Sequence, residues 1–211
     1  MDYIKVRNDL LGKTLVENFN KNFFESYYCS TKEEAKNKAL SLIEENSTVA
    51  WGGSMSIQEC GLLDAVKNGN YKVIDRDLAQ SMDERFDLMR KALTCDTFLM
   101  SSNAVSKEGE LVNIDGMGNR VSALCFGPKQ VIVIVGLNKV APDRDSAIKR
   151  ARNVAGPINS QRFNFDTPCT KTGACYDCKH PDCICAQMVI TRICKPKGRI
   201  KVIFCGESLG F

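Results

Sequence analysis

Thr48-Val-Ala-Trp51-Gly52-Gly53-Ser54-Met55-Ser56-Ile57-Gln58-Glu59 runs without a break from a β-rich segment through a paired-glycine turn into the start of a helix. Ser56 and Glu59 form a capping box, in which each side chain satisfies a backbone amide that the first helical turn leaves free, and the helix is expected to reach about Asn68. The same pattern recurs on both sides. Tyr71–Ile74 and Thr97–Met100 are β-rich, and between them Ser81-Met-Asp-Glu84 opens a helix to about Thr94. Upstream, the spacing of Ile4, Leu11, Leu15 and Phe19 predicts an amphipathic helix over residues 1–22. A strand-like run over 23–29 follows, and then Ser30-Thr-Lys-Glu33 caps a helix with Ala35, Ala39 and Ile43 on one face. Alternating strand and helix predicts an α/β fold with a mainly parallel sheet.

After Ser101 the rhythm changes. Segments around Leu111, over Val121–Phe126 and over Val131–Val135 are joined by glycine-containing turns too short for helices, so part of the sheet is expected to be hairpin-like and mixed. The run Val131–Val135 reads as a strand buried on both faces. A helix from about Asp143 to Ala155 is expected to stop at Gly156-Pro157. Strands at Met188–Ile193 and Ile200–Cys205 flank an exposed basic turn, Lys195–Arg199, and complete the same sheet. With 211 residues the chain suits one domain, 1–211.

The net charge of +4 is spread among interleaved acids rather than gathered in a stripe, so nucleic-acid binding is not indicated. The longest apolar run is far short of the roughly 18 residues a membrane span needs, and the N-terminus lacks the apolar core of an export signal. A cytoplasmic protein is expected, in which thiols stay reduced.

That compartment decides how the cysteines are read. Of eleven, Cys169, Cys175, Cys178, Cys183 and Cys185 fall within residues 166–187, a cysteine-rich loop that Pro168, Gly173 and Pro181 help to turn. Clustered thiolates are soft ligands, so a metal or redox site is expected, as a zinc ion, an iron–sulfur cluster or a redox pair, with reduced, unligated thiols as the alternative. His180, the only histidine, is expected in the loop outside the ligand set. The other six cysteines read as small core residues.

Two further segments suit a polar ligand. In Trp51-Gly-Gly-Ser54 the paired glycines let backbone amides approach an anion at the mouth of a helix, or simply make a tight turn with a serine cap, while Trp51 reads as core. The stretch Ser101–Arg120 concentrates Asn103, Glu108, Asn113, Asp115, Asn119 and Arg120 beside glycines, at sheet ends where open α/β folds place ligands.

Several long motifs in order, GGSMSIQECGLLDAV, SSNAVSKEGELVNIDGMGNRVSALCFGPKQVIVIVGLNKV, APDRDSAIKRARNVAGPIN, TPCTKTGACYDC and GRIKVIFCGESLGF, resemble the LUD (lactate utilisation) domain family from about residue 45 onward. The resemblance implies the fold shared by ribose-5-phosphate isomerase, glucosamine-6-phosphate deaminase, CoA transferases and 5-formyltetrahydrofolate cyclo-ligase, and a link to lactate or related oxidation. It implies that Gly52, Gly53 and Ser54 form an anion-binding loop, that Asn113, Asp115, Gly118, Asn119, Arg120 and Lys139 contribute to a pocket for a small anionic ligand, with a surface position the alternative for Arg120 and Lys139, and, by distant analogy, that Glu108 is catalytic, against the plainer reading of an exposed turn acid. Cys169, Cys175, Cys178 and Cys185 are similar to the family's cysteine pattern, which implies a [4Fe-4S] cluster or zinc, with Cys183 in reserve. Three functions are compatible with this: an accessory or redox protein in organic-acid oxidation, working with an iron–sulfur oxidoreductase; a transferase or ligase on a phosphate-, CoA- or folate-bearing substrate; or a non-catalytic, metal-stabilised partner-binding domain.

Overall fold

In the computed structural model, which describes residues 1–211, the chain runs α1 (Tyr3–Lys21), β1 (Glu25–Cys29), α2 (Lys32–Leu40), β2 (Thr48–Trp51), α3 (Met55–Glu59), α4 (Leu62–Lys67), β3 (Lys72–Ile74), α5 (Met82–Lys91) and β4 (Thr97–Met100). It continues through β5 (Ala104–Ser106), β6 (Glu110–Asp115), α6 (Asn119–Cys125), β7 (Gln130–Gly136), β8 (Val140–Ala141), α7 (Arg144–Arg150), α8 (Gly156–Ser160), α9 (Pro168–Thr172), β9 (Gln187–Thr191) and β10 (Ile200–Cys205). The main sheet has the order β1-β10-β7-β4-β2-β3, and every pairing in it is parallel. The chain is therefore an α/β protein with a mainly parallel six-stranded sheet.

Alternation along the central strands builds a core on each face. Val131, Val133 and Val135 of β7 join Phe98, Phe204 and, from α1, Leu15 and Phe19; Ile132 and Ile134 point the other way, to Ala35 and Ala39 of α2, Ile57 of α3 and Leu62 of α4. Trp51 is buried in the second of these clusters, a core residue as its position suggests. No helix is long and apolar enough to cross a membrane.

The later segments do not all join that sheet. β8-β5-β6-β9 form a second, mixed sheet of four strands, with the hairpin β5–β6 and the pair β6–β9 antiparallel. The two final strands thus part company, β9 pairing with β6 while β10 enters the main sheet between β1 and β7. Val105 and Leu111 of the second sheet pack into the first core, whereas Ala104, Val112 and Ile114 form a third cluster with Ala147 and Ala151.

Local chemistry explains the other departures. Val121–Phe126 falls in α6 and its end rather than in a strand: Asp115 accepts from the Gly118 and Val121 amides, and Gly118 takes the left-handed conformation that starts the helix. The helix after the glycine turn breaks into α3 and α4 at Gly61, with φ +73°, and its cap position is Ser54, leaving Ser56 inside. At the α2 start the cap is Thr31, whose hydroxyl accepts from the Glu34 amide. Ser81 does cap α5 as its box predicts, accepting from Glu84 N. Gly156-Pro157 does not end the helix, because a π turn over Ala151–Ala155 widens the backbone and carries the Gly156 amide to Ala151 O, so that α8 continues from α7.

Candidate functional site

The carboxyl ends of β2, β3, β4 and β7 open onto one cavity of about 350 Å³. Open parallel sheets place ligands there because the connecting loops diverge and leave a crevice. Gly53, Ser54 and Ser56 enter it after β2, Arg76 after β3, Ser101–Asn103 after β4 and Lys139 after β7, while Asp115, Asn119 and Arg120 come from the β6–α6 connection. The stacked rings of Phe163 and Phe165, with centroids 5.1 Å apart, form an apolar part of the wall.

The positive charge here is unevenly partnered. Arg120 is fully engaged: Nη1 donates to Ser101 O (2.9 Å) and Asn113 Oδ1 (3.2 Å), Nη2 to Asn103 Oδ1 (2.7 Å) and Ile114 O (2.6 Å), and Nε lies 3.6 Å from Asp115. Burial pushes its guanidinium below the ordinary arginine value, while Asp115 pulls the other way. The fork that would grip an anion is thus committed to the protein, making Arg120 a clamp that fixes the loop after β4 to the end of β6.

Arg76 is its opposite. Its Nε is buried without a hydrogen-bond partner, and burial pushes its guanidinium down, while Asp77, Asp115 and Asp75 pull the other way without forming an ion pair with it. Gly53 makes room for it, since a Cβ there would stand 2.9 Å from Arg76 Nη2. Ser54 Oγ is also buried and unpartnered; although Ser54 occupies the cap position of α3, its hydroxyl accepts no capping bond. Buried polar groups are nearly always paired in folded proteins, so two unpaired donors at one cavity point to a partner from outside the chain.

Lys139 is only 4% exposed and forms no ion pair. Its Nζ donates to Ser56 Oγ (2.7 Å) and Ser101 Oγ (3.1 Å). Burial, then the neighbouring Arg150 and Arg120, push the amine down to about 7, with Glu59 acting weakly in the other direction.

A second cavity, of about 110 Å³, is lined by all five loop cysteines. Cys169 Sγ lies 3.2 Å from both Ser160 Oγ and Thr167 Oγ1, Cys183 Sγ accepts from the Cys185 amide (3.4 Å), and Arg152 Nη2 is 3.8 Å from Cys175 Sγ. All eleven cysteines are free thiols. No three His, Cys, Asp or Glu side chains are grouped closely enough to hold a single metal ion. Five reduced thiols around one space are the donor type that zinc or an iron–sulfur cluster takes. Ile184 belongs to the walls of both cavities.

The model of the LUD domain matches residues 12–205. The chain belongs to the LUD domain family. Among solved structures it is similar to a DUF162 family protein from Deinococcus radiodurans at 12% identity and a TM-score of 0.52, covering 95% of this chain and 98% of that one, so the two share a fold. Partial similarities extend to eIF2B delta from Chaetomium thermophilum (16% identity, 66% of this chain and 57% of that one, TM-score 0.38) and to ribose 5-phosphate isomerase A from Methanocaldococcus jannaschii (17%, 52% and 53%, TM-score 0.33). No curated protein sequence matches the chain.

In this LUD domain the two segments expected to share a pocket do so, with Gly53 and Ser54 meeting Asp115, Asn119, Arg120 and Lys139. Gly52 stands behind them against the Arg120 side chain, Asn113 is wholly buried as an Arg120 acceptor, and Gly118 starts α6. Glu108 does not belong to the cavity. It is exposed in the β5–β6 turn, where its carbonyl accepts from Asn22 Nδ2 (3.1 Å), and a transferase mechanism built on it has no carboxylate in place. His180 stays outside the thiol cavity, its Nδ1 accepting from the Asp182 amide. Of the six remaining cysteines five are buried, but Cys125 is exposed at the end of α6. Arg76 escaped the sequence reading; the trace it leaves is a charged triplet, Asp75-Arg76-Asp77, directly after an expected strand.

Proposed function

We propose that this LUD domain protein binds a small organic anion in the larger cavity and serves lactate or related organic-acid oxidation as an accessory or redox protein. The observation that carries the reading is the pairing of Arg76 and Lys139, two cations with no carboxylate in direct ion-pair contact, with the unspent hydroxyl of Ser54 at one cavity. An anion supplies what these groups lack, and a guanidinium and an ammonium in a partly dehydrated site hold a carboxylate or phosphate more firmly than they would in water.

The thiol cavity belongs to the same reading. Cys169, Cys175, Cys178 and Cys185, with Cys183 beside them, would hold a [4Fe-4S] cluster, or zinc as the alternative; a cluster supplies one-electron transfer, and zinc a structural clamp. The chain's own residues prepare the surroundings: Ser160 and Thr167 hydroxyls contact the Cys169 sulfur, and Arg152 offsets negative charge at Cys175. An iron–sulfur oxidoreductase in the cytoplasm is the partner that suits such a centre.

Calorimetric titration with lactate, pyruvate and phosphate tests the anion site. Binding of at least one of these by the wild-type chain, weakened tenfold or more in Arg76→Met combined with Ser54→Ala, is the expected result. Equal affinity in the variant overturns the proposal.

A further inference from the structure

We infer that Lys139 forms an imine with the ketone carbon of a 2-oxo acid held in the larger cavity, an inference that rests on reading that cavity as an organic-anion site. A lysine that only supports a fold normally sends its ammonium to water or pairs it with a carboxylate. Lys139 does neither, for it is 4% exposed, lines the cavity, and has only the hydroxyls of Ser56 and Ser101 within hydrogen-bond reach. A carboxylate partner would hold the nitrogen as ammonium, which has no lone pair. Hydroxyls tolerate either state, since each can accept from the ammonium or donate to the neutral amine.

The surroundings make the neutral amine accessible beside the ammonium near neutral pH. Burial is reinforced by Arg150 and Arg120, and Glu59 opposes them only weakly, which brings the amine to about 7. Desolvation next to another cation is a recognised way of making a lysine nucleophilic at neutral pH. A 2-oxo acid matches the rest of the site by offering a carboxylate to the unpartnered Arg76 and Ser54, with an electrophilic carbon one bond away.

The step balances within the cavity. The Nζ lone pair adds to the ketone carbon and the carbonyl electron pair moves to oxygen, which takes up protons passed through the Ser56 and Ser101 hydroxyls and leaves as water. One amine, one ketone and one proton give one iminium ion and one water. A 2-hydroxy acid offers the same carboxylate but no ketone, so it binds without a bond. The site would thus retain the oxidised member of such a pair and release the reduced one.

The test uses the full chain incubated with pyruvate and then borohydride, which reduces an imine to a stable secondary amine, followed by peptide mass spectrometry. A carboxyethyl group concentrated on Lys139, absent when lactate replaces pyruvate, reduced by competing lactate and lost in Lys139→Arg, is expected. Mapping the label in the wild-type chain decides the matter even where the variant folds poorly. Calorimetric binding of pyruvate or lactate with no label on Lys139, or with label spread evenly over surface lysines, overturns the imine and leaves the anion site standing. No label and no binding of pyruvate, lactate or phosphate overturns both, and binding of phosphate alone overturns only the imine.

Discussion

Gly52 and Arg120 are in contact: a Cβ on Gly52 would stand 3.0 Å from Arg120 Cδ and 3.1 Å from Cγ. The glycine therefore sets how closely the clamp can lie against the end of β2. Gly52→Ala is expected to push Arg120 off its acceptors, costing about 1–3 kcal/mol in urea unfolding and weakening anion binding. Arg120→Met should cost more, about 3–5 kcal/mol, because it takes the Arg120 donor from the Ser101 and Ile114 carbonyls and from the Asn113 amide oxygen, while Asn103 keeps only the Ile114 amide. Wild-type stability in either variant would contradict the clamp.

Arg76 predicts the reverse relation between stability and binding. A half-buried guanidinium whose Nε has no hydrogen-bond partner is a burden on the empty chain, offset in part by Asp77, Asp115 and Asp75, so Arg76→Met is expected to leave stability unchanged or raise it by up to about 1 kcal/mol while weakening anion affinity. Thermal unfolding with and without phosphate measures both effects; a variant that is destabilised yet still protected by phosphate would assign Arg76 to the fold.

Lys139 gives two pH dependences of opposite sign. Its folded-state pKa is depressed from 10.5 to about 7 by burial, Arg150 and Arg120, against Glu59, so the unfolded chain binds more protons between those values. Stability of the empty chain should therefore rise as pH climbs from about 7 towards 10.5, and level off at its lower value below 7, where both states carry the proton. Non-covalent anion binding favours the ammonium, and affinity for lactate, a carboxylate of constant charge in this range, should weaken as pH rises through 7. Both slopes should flatten in Lys139→Met; slopes that persist would place the titration elsewhere.

The thiol cavity predicts metal content. Anaerobically purified protein is expected to carry iron with inorganic sulfide, or zinc, near one centre per chain, and Cys175→Ala/Cys178→Ala to carry neither. Metal loss should speed amide exchange over residues 165–187 and spare both sheets. Equal, trace metal in the two proteins would leave only free thiols.

What could be read from the chain follows from how local each feature is. Ser81 capping α5, and the strand and turn at Thr48–Ser54, are settled by neighbours a few residues apart. Val121–Phe126 misled because a short apolar run serves a strand or a buried helix equally well, and the deciding bonds come from Asp115. The separation of β9 from β10 depends on pairings with β6 and β7, distant in sequence and invisible to periodicity. Likewise the polar character of the site was legible in Ser101–Arg120, but the division of labour was not: Arg120 is saturated and Arg76 free only because of what the fold packs beside each.

The position of β10 has a consequence for biosynthesis. Tyr27 pairs with Ile203, and Ile203 with Ile134, so a strand made after the other nine lies inside the main sheet. While the ribosome is still short of Ile200, β1 and β7 have no shared neighbour, and each presents an open edge of backbone donors and acceptors. Such edges recruit other extended chains. Premature termination anywhere before Ile200 should therefore yield aggregating polypeptide rather than a smaller working protein, and the interval before β10 is delivered is when a chaperone has most to protect.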